Sequence, residues 1–213
     1  TMINQILAGD FVTILTFDRE LSMAGGKDAA LTPSNVQFKA RTHLGSHPNT
    51  RPVRVGSDTF LTSLSGKRFR TFKYEFGTDS YKAPDLGVIG GHLLEEGGGI
   101  AEAAFAREPY SCIWAVTNNG TLLSFVYDPD QEIMAWSKHY TAENTFYRSV
   151  TVIPDASGQD QVWQAVDRTI NGSTVTCIEY MDSALNTDSG MTATDGTGKT
   201  SWTGYSHLEG QAV

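Results

Sequence analysis

Five carboxylates are the residues of this chain with the clearest potential for catalysis. Glu95, Glu96, Glu102, Asp128 and Asp130 could supply the acid/base pair of a glycosidase, which needs two carboxyl groups facing each other across a sugar. The first two precede a run of three glycines, however, and the last two flank a proline, which is the composition of turns. We therefore predict turn residues here and keep a glycan-degrading activity as the alternative.

A glycine-rich segment near the carboxyl end has some features of a phosphate-binding loop. Residues 193–200 (ATDGTGKT) place Lys199 and Thr200 after two glycines. The residues before the segment are polar, and those after it (SWTGY) do not have the pattern of a helix whose amino terminus could face an anion. The segment is therefore interpreted as a Gly/Thr loop, and no nucleotide or other cofactor is predicted.

Two histidines have the four-residue spacing of a metal-binding pair on a helix. Gly45 lies between His43 and His47, and Pro48 follows them, so the helix that this spacing requires is disfavoured. No metal site is predicted.

The two cysteines, Cys112 and Cys177, each lie within an apolar strand pattern. Buried thiols are the simplest interpretation of that position, with a disulfide or a reactive site as the alternative. Asn119-Gly-Thr and Asn171-Gly-Ser match the glycosylation acceptor pattern, but both have the composition of hairpin turns.

The charge balance argues against tight binding of nucleic acid. The chain has 213 residues and a formal charge of −8, from 24 acidic and 16 basic residues. Its one basic cluster, Lys67, Arg68, Arg70 and Lys73, alternates with apolar residues, so we predict a solvated strand face, with an anionic partner surface as the alternative. An acidic lumen could still surround DNA without holding it. No run of 18 apolar residues is present, so no membrane span is predicted.

Four aromatic residues begin apolar segments at nearly even spacing. Phe11, Phe60, Trp114 and Trp163 lie roughly 50 residues apart, within the range of propeller and solenoid repeats. We predict four units in one propeller-like domain spanning residues 1–213. Their approximate bounds are 8–57, 58–110, 111–160 and 161–213.

A turn glycine keeps the same period as the aromatics. Gly66, Gly120 and Gly172 each separate an aromatic-led strand from a second strand, and two of them form Asn-Gly pairs. Such pairs favour type I′ hairpin turns, whose two central residues need positive φ. Further strands are predicted at 133–139 and 147–153, which gives about four strands per unit, as in a propeller blade.

One segment departs from the strand pattern. Residues 86–94 and 100–107 are predicted to form short helices on either side of the triple glycine, and Asp85, after Pro84, is predicted to cap the first. The fold prediction is therefore an all-β, propeller-like domain of antiparallel sheets with a short helical or loop insertion near 86–107. The regular repeat, with the catalytic candidates lying outside it, argues against an enzyme.

Several stretches together resemble the tail nozzle proteins of short-tailed bacteriophages and related prophages, also called tail tubular protein B-like proteins. The similarity extends from about Asp10 to the carboxyl end. The stretches are residues 31–37 (LTPSNVQ), 51–56 (RPVRVG), 81–86 (YKAPDL), 113–124 (IWAVTNNGTLLS), 168–172 (RTING) and 207–210 (HLEG).

This resemblance implies a structural protein of the virion. Members of the family are built around a β-propeller and form a ring, usually a hexamer, beneath the head-to-tail adaptor. They enclose the channel for genome ejection and can support fibres or spikes. The family's motif contains no catalytic residues. The matched positions are structural: Trp114 and Trp163 as blade-core aromatics, Gly120 and Gly172 as turn glycines, and Pro84 with Asp85 at the entry to the inter-blade segment.

Family members are usually several times longer than this chain, so the resemblance implies a fragment or a domain. The repeat also ends before a propeller of ordinary size would close, which predicts that more chain or a neighbouring subunit completes it. A glycan-degrading or glycan-binding propeller that acts on host surface polysaccharide is the alternative function.

Overall fold

The computed structural model describes residues 2–8, 12–25, 31–141, 145–170, 172–182 and 184–185. In this part of the chain, strands form four antiparallel sheets, accompanied by one α-helix, α1 (Gly91–Glu96), and one 3-10 turn (Phe76–Thr78). The predicted all-β class is confirmed. None of the helical residues described here forms a segment long and apolar enough to span a membrane.

Each sheet is a meander whose strands are neighbours in chain order. Sheet 1 contains four strands: β1 (Ile3–Leu7), β2 (Val12–Thr16), β3 (Glu20–Ala24) and β4 (Gln37–Thr42). Sheet 2 contains the next four: β5 (Val53–Val55), β6 (Asp58–Thr62), β7 (Phe69–Glu75) and β8 (Ser80–Lys82).

The second half of the chain repeats this plan. Sheet 3 contains four strands: β9 (Ile100–Ala106), β10 (Cys112–Thr117), β11 (Leu122–Asp128) and β12 (Ile133–His139). Sheet 4 contains three described strands: β13 (Phe146–Pro154), β14 (Asp160–Ile170) and β15 (Ser173–Tyr180).

In sheets 2, 3 and 4, the aromatic residue of the repeat lies on the second strand. Phe60, Trp114 and Trp163 lie on β6, β10 and β14. Phe11 lies outside the described residues, directly before β2. Each predicted unit therefore begins close to the second strand of a sheet, whereas the sheet itself begins with the strand before it.

The predicted type I′ turn is wrong at Gly120. Gly120 has φ +80°, but Asp79 and Glu132 are the only non-glycine residues with positive φ in the described part, so Asn119 does not adopt the required conformation. The amide of Gly120 donates to the carbonyl of Thr117 at 2.9 Å, and the Thr117 amide donates to Thr121 at 3.0 Å. This is a hairpin turn that needs left-handed backbone at one residue only, the glycine. At the corresponding turn in sheet 4, Asn171 lies outside the described residues.

The second predicted helix, residues 100–107, is wrong: Ile100–Ala106 is β9, the edge strand of sheet 3. Gly98 and Gly99 have φ of +72° and +95°, so the chain leaves the helical conformation directly after α1. The new direction brings β9 into register with β10, and pairing with that apolar strand overrides the local helix propensity of the alanines.

The cap predicted for the first helix is also wrong. Helix α1 begins after Gly90, and Asp85 lies upstream, where its carboxylate accepts a hydrogen bond from the Gly87 amide at 2.9 Å. Asp85 thus stabilises a turn, which is the other common role of a carboxylate at a chain reversal.

Consecutive sheets pack face to face through three apolar clusters. Sheets 1 and 2 meet through Leu15, Leu61 and Phe72. Sheets 2 and 3 share the largest cluster, which also includes Leu94 of α1. Sheets 3 and 4 meet through a third, which includes Val116 and Val166. The two middle sheets are thus covered on both faces.

This double coverage follows from the side-chain alternation of the strands. On β6, Phe60 faces sheet 3, whereas the next residue, Leu61, faces sheet 1. On β10, Ile113 faces sheet 2, whereas Val116 faces sheet 4. Strands that are buried on both sides often read as nearly continuous apolar runs, as β10 (CIWAVT) does, whereas in β6 (DTFLT) Phe60 and Leu61 alone supply the apolar side chains of the two faces.

Candidate functional site

Two of the predicted turn glycines lie at the junctions between sheets. The carbonyl oxygen of Gly66 accepts a hydrogen bond of 2.9 Å from the amide of Ile100, the first residue of sheet 3. The carbonyl oxygen of Gly120 accepts an equivalent bond of 3.0 Å from the amide of Tyr147 in the first strand of sheet 4. Each of these turns therefore also fixes the next sheet.

The two junction glycines are constrained differently. A Cβ atom on Gly120 would lie 2.4 Å from the ring of Phe146, which is too close, whereas one on Gly66 would lie 3.4 Å from the Cα of Gly99, an ordinary contact, so the positive φ of +75° is the constraint at Gly66. The third turn glycine, Gly172, has open space around it, so its positive φ of +76° is its only constraint.

The junction between sheets 1 and 2 uses the loop that joins them. The amide of Ser46 donates to the carbonyl of Thr16 at the end of β2, at 3.1 Å, and the amide of His47 donates to Thr62 at the end of β6, at 2.9 Å. The loop thus bridges the second strands of two neighbouring sheets. Gly45 precedes it with φ +72°, and a Cβ there would collide with the backbone of Phe17.

The two tryptophans occupy different environments. Trp114 is half-buried against the cluster between sheets 3 and 4, and its ring centroid lies 4.8 Å from that of His139. Trp163 is half-buried and stacks on its cross-strand partner Tyr180 at 5.0 Å, outside the three apolar clusters. Its indole nitrogen is buried and has no hydrogen-bond partner among the described residues.

The main aromatic cluster lies between sheets 2 and 3. Phe60 is fully buried, with ring centroids 5.5 Å from Phe69 and 4.9 Å from Tyr127. The hydroxyl of Tyr127 donates to the carboxylate of Asp58 at 2.7 Å, and burial together with this bond raises the pKa of the tyrosine. Phe60 was identified from the repeat, whereas this hydrogen bond leaves no signal in the sequence.

Pro84 and Asp85 lie where the chain passes from sheet 2 towards sheet 3. The carbonyl of Pro84 accepts a bond of 3.3 Å from Thr71, and Asp85 forms an isolated backbone bridge with Arg70. The Asp85 carboxylate also lies 3.4 Å from the guanidinium of Arg68. The segment therefore follows β7 and is held there by backbone and ionic contacts.

Three of the five carboxylates considered for catalysis, Glu95, Glu102 and Asp128, have separate structural partners. Glu95 lies 3.6 Å from Arg68, Glu102 accepts a bond of 3.1 Å from the amide of Val150, and Asp128 accepts from the turn amides of Asp130 and Gln131. These contacts are those of turn, ionic and inter-sheet anchoring groups.

In the described part of the chain, His43 and His47 do not belong to a cluster of potential metal ligands. The ring nitrogen Nδ1 of His47 accepts a bond of 3.2 Å from the Thr50 amide, and burial lowers its pKa. Within the ranges that the structure covers, no three potential ligands come together at a metal site.

The loop of residues 193–200, including Lys199 and Thr200, lies outside the described residues.

A groove lined by three arginines was missed in the sequence. Arg51, Arg54 and Arg107 surround a cavity of about 420 Å³, together with the carboxylate of Asp160. The Asp160 carboxylate accepts two bonds of 3.1 Å from the Arg107 guanidinium and one of 2.7 Å from its amide, and this pairing lowers the pKa of Asp160 to about 2. The helix predicted for residues 100–107 did not place Arg107 directly after β9, the edge strand whose residues line the groove.

Comparison with known proteins gives this chain no family assignment. No protein-family model matches the sequence, and no curated protein matches it significantly.

Proposed function

We propose that this chain is a structural component of a bacteriophage tail, a nozzle protein of the tail tubular protein B-like type. In this proposal the four sheets are successive blades of a β-propeller. Copies of the chain form a ring, a hexamer by the family resemblance, that encloses the exit channel for phage DNA. Adaptor or portal proteins and tail fibres or spikes are its partners in the virion.

The observation that carries this proposal is the repeated junction between consecutive meander sheets. Radially stacked sheets of about four strands are the plan of a propeller blade array. The stacking of sheets 1 to 4 in chain order, with the first strand β9 in contact with both β5 and β13, agrees with such an array. The bonds at Gly66 and Gly120 are equivalent positions in successive units.

The charge of the chain supports a channel that does not hold DNA. A net charge of −8 opposes tight phosphate binding, which would slow a duplex moving through the ring. Among the described residues, stretches that resemble nozzle proteins lie at strands and turns, for example residues 51–56 across β5 and 113–124 across the β10–β11 hairpin, whereas residues 207–210 lie outside the described part. A structural role needs only this scaffold.

Immunogold electron microscopy tests the proposal. Antibodies raised against the purified chain are applied to particles from a lysate of the host that encodes it. Gold at the tail, below the head, is the expected result. Intact tailed particles that carry no label, together with the chain recovered only as free protein that depolymerises a surface glycan, would overturn it in favour of the glycan-degrading alternative.

A further inference from the structure

The arginine groove lies where the first strands of three sheets meet. Strands β5, β9 and β13 are edge strands of sheets 2, 3 and 4, and β9 contacts both β5 and β13. Arg54 lies on β5, Arg51 lies just before it, and Arg107 directly follows β9. The Arg54 guanidinium also donates to the carbonyl of Ala8, directly after β1, at 3.0 Å. The groove therefore lies beside the first strands of sheets 2, 3 and 4, and Arg54 connects it to the end of the first strand of sheet 1.

The groove carries positive charge within an acidic protein. Arg107 is neutralised by its ion pair with the carboxylate of Asp160. Arg54 has no carboxylate partner among the described residues, since its bonds go to the carbonyls of Ala8 and Gly56. Arg51 is exposed and has no ionic partner in that part of the chain. Two guanidinium charges are therefore available to an anionic ligand.

The remaining lining of the groove is apolar. Pro52, Phe105, Val152 and Pro154 contribute walls beside the guanidiniums. A volume of about 420 Å³ is within the range of pockets that bind small molecules or a few side chains. A guanidinium binds a carboxylate through two parallel hydrogen bonds, and the adjacent apolar walls suit an aliphatic or aromatic side chain.

We propose that this groove binds an extended acidic segment of a partner protein, with carboxylates on Arg51 and Arg54 and an apolar side chain between Phe105 and Val152. Extended segments commonly bind at sheet edges, where alternate side chains enter pockets. An acidic peptide is favoured over nucleic acid because the apolar walls beside the guanidiniums suit an aliphatic side chain, which a sugar-phosphate backbone does not carry. This inference does not depend on the proposed tail function.

Fluorescence anisotropy with a labelled peptide of alternating glutamate and valine tests this site. We expect binding that weakens as salt rises, because the ionic contacts are exposed. Arg51→Gln/Arg54→Gln should weaken it about tenfold, since both exposed ion pairs are lost together. Lys39→Gln/Lys67→Gln removes the same charge from exposed positions away from the groove and should leave the affinity within about twofold.

The controls separate this site from general charge attraction. A peptide with glutamine in place of glutamate should not bind, and single-stranded oligothymidylate of equal charge should bind more weakly than the acidic peptide. No binding of the acidic peptide, tighter binding of oligothymidylate, or an equal loss in the lysine variant would each overturn the proposal. If the double variant unfolds, Arg51→Glu provides the same test, because that side chain is exposed and makes no ionic contact within the described residues.

Discussion

The carbonyl oxygen of Gly120 accepts a hydrogen bond of 3.0 Å from the amide of Tyr147, and this bond connects the central hairpin of sheet 3 to the first strand of sheet 4. Gly66 and Ile100 make the same connection, at 2.9 Å, between sheets 2 and 3. At Gly120 the turn must keep both its positive φ and its lack of a side chain, because a Cβ would collide with Phe146. At Gly66 the positive φ is the constraint, because a Cβ there would make ordinary contacts.

Replacing Gly120 should cost more than replacing Gly172, although both have nearly the same φ. Gly172→Ala meets only the conformational penalty, about 1 kcal/mol, because no atom lies within 4 Å of its Cβ. Gly120→Ala adds a collision with the Phe146 ring and should cost about 3 kcal/mol. Urea denaturation measures both free energies of unfolding. Equal losses in the two variants would show that the junction is not tightly packed.

Phe60 should contribute more to stability than Trp163, although both mark the repeat. Phe60→Ala should lower the free energy of unfolding by about 3 to 5 kcal/mol, because the ring is fully buried between sheets 2 and 3. Trp163→Ala should cost about 1 to 2 kcal/mol, because half-buried stacking on Tyr180 removes less surface from water. Phe76→Ala, at a ring that is 89% exposed, is the control and should be nearly neutral. Thermal melts that rank Trp163→Ala above Phe60→Ala would contradict this assignment.

The ion pair of Arg107 with Asp160 should make stability depend on acid pH. The folded pKa of Asp160, about 2, is lower than its ordinary value of 3.8, so the pair stabilises the fold above about pH 4. That contribution is lost as the pH falls towards 2. The difference in unfolding free energy between the wild type and Asp160→Asn, measured by urea denaturation from pH 6 to 2, should therefore shrink in that window. Asp130→Asn, on an exposed turn, should show no such change, and a constant difference for Asp160→Asn would argue against the pairing.

The two cysteines should differ in reactivity. Both are free, and burial raises the pKa of the Cys112 thiol, so little reactive thiolate is present in the folded protein. Cys177 is partly exposed on β15. A thiol reagent at pH 8 should modify one thiol per chain quickly and the second only in denaturant, and Cys177→Ser should abolish the fast phase. A fast phase that survives this substitution would place the exposed thiol at Cys112.

The positions of the strands could be predicted because the physical signal is local. Apolar alternation and turn glycines identified β6, β10, β11 and β12 within a few residues, since successive side chains of a strand point to opposite faces of the sheet. The segment 100–107 was misassigned because its alanines favour a helix locally. Its strand conformation depends on pairing with β10, which is contact information that a local pattern does not carry.

The groove could not be predicted for a similar reason. Arg51 and Arg107 are far apart in the sequence, and they share a cavity only because β5 and β9 are edge strands that meet. The ion pair between Asp160 and Arg107 could not be predicted either, because no local spacing in the sequence links these two residues. A site between sheets depends on how the sheets stack. Turns and strands, in contrast, depend mainly on the residues within each segment.

The mass of the purified chain in solution tests the central proposal most directly. If the chain is a ring-forming component of a phage tail, light scattering after size exclusion should give a discrete mass of several copies of the 23.2 kDa chain, and electron micrographs of that fraction should show rings with a central opening. A stable species of 23.2 kDa at all concentrations, without rings, would contradict it.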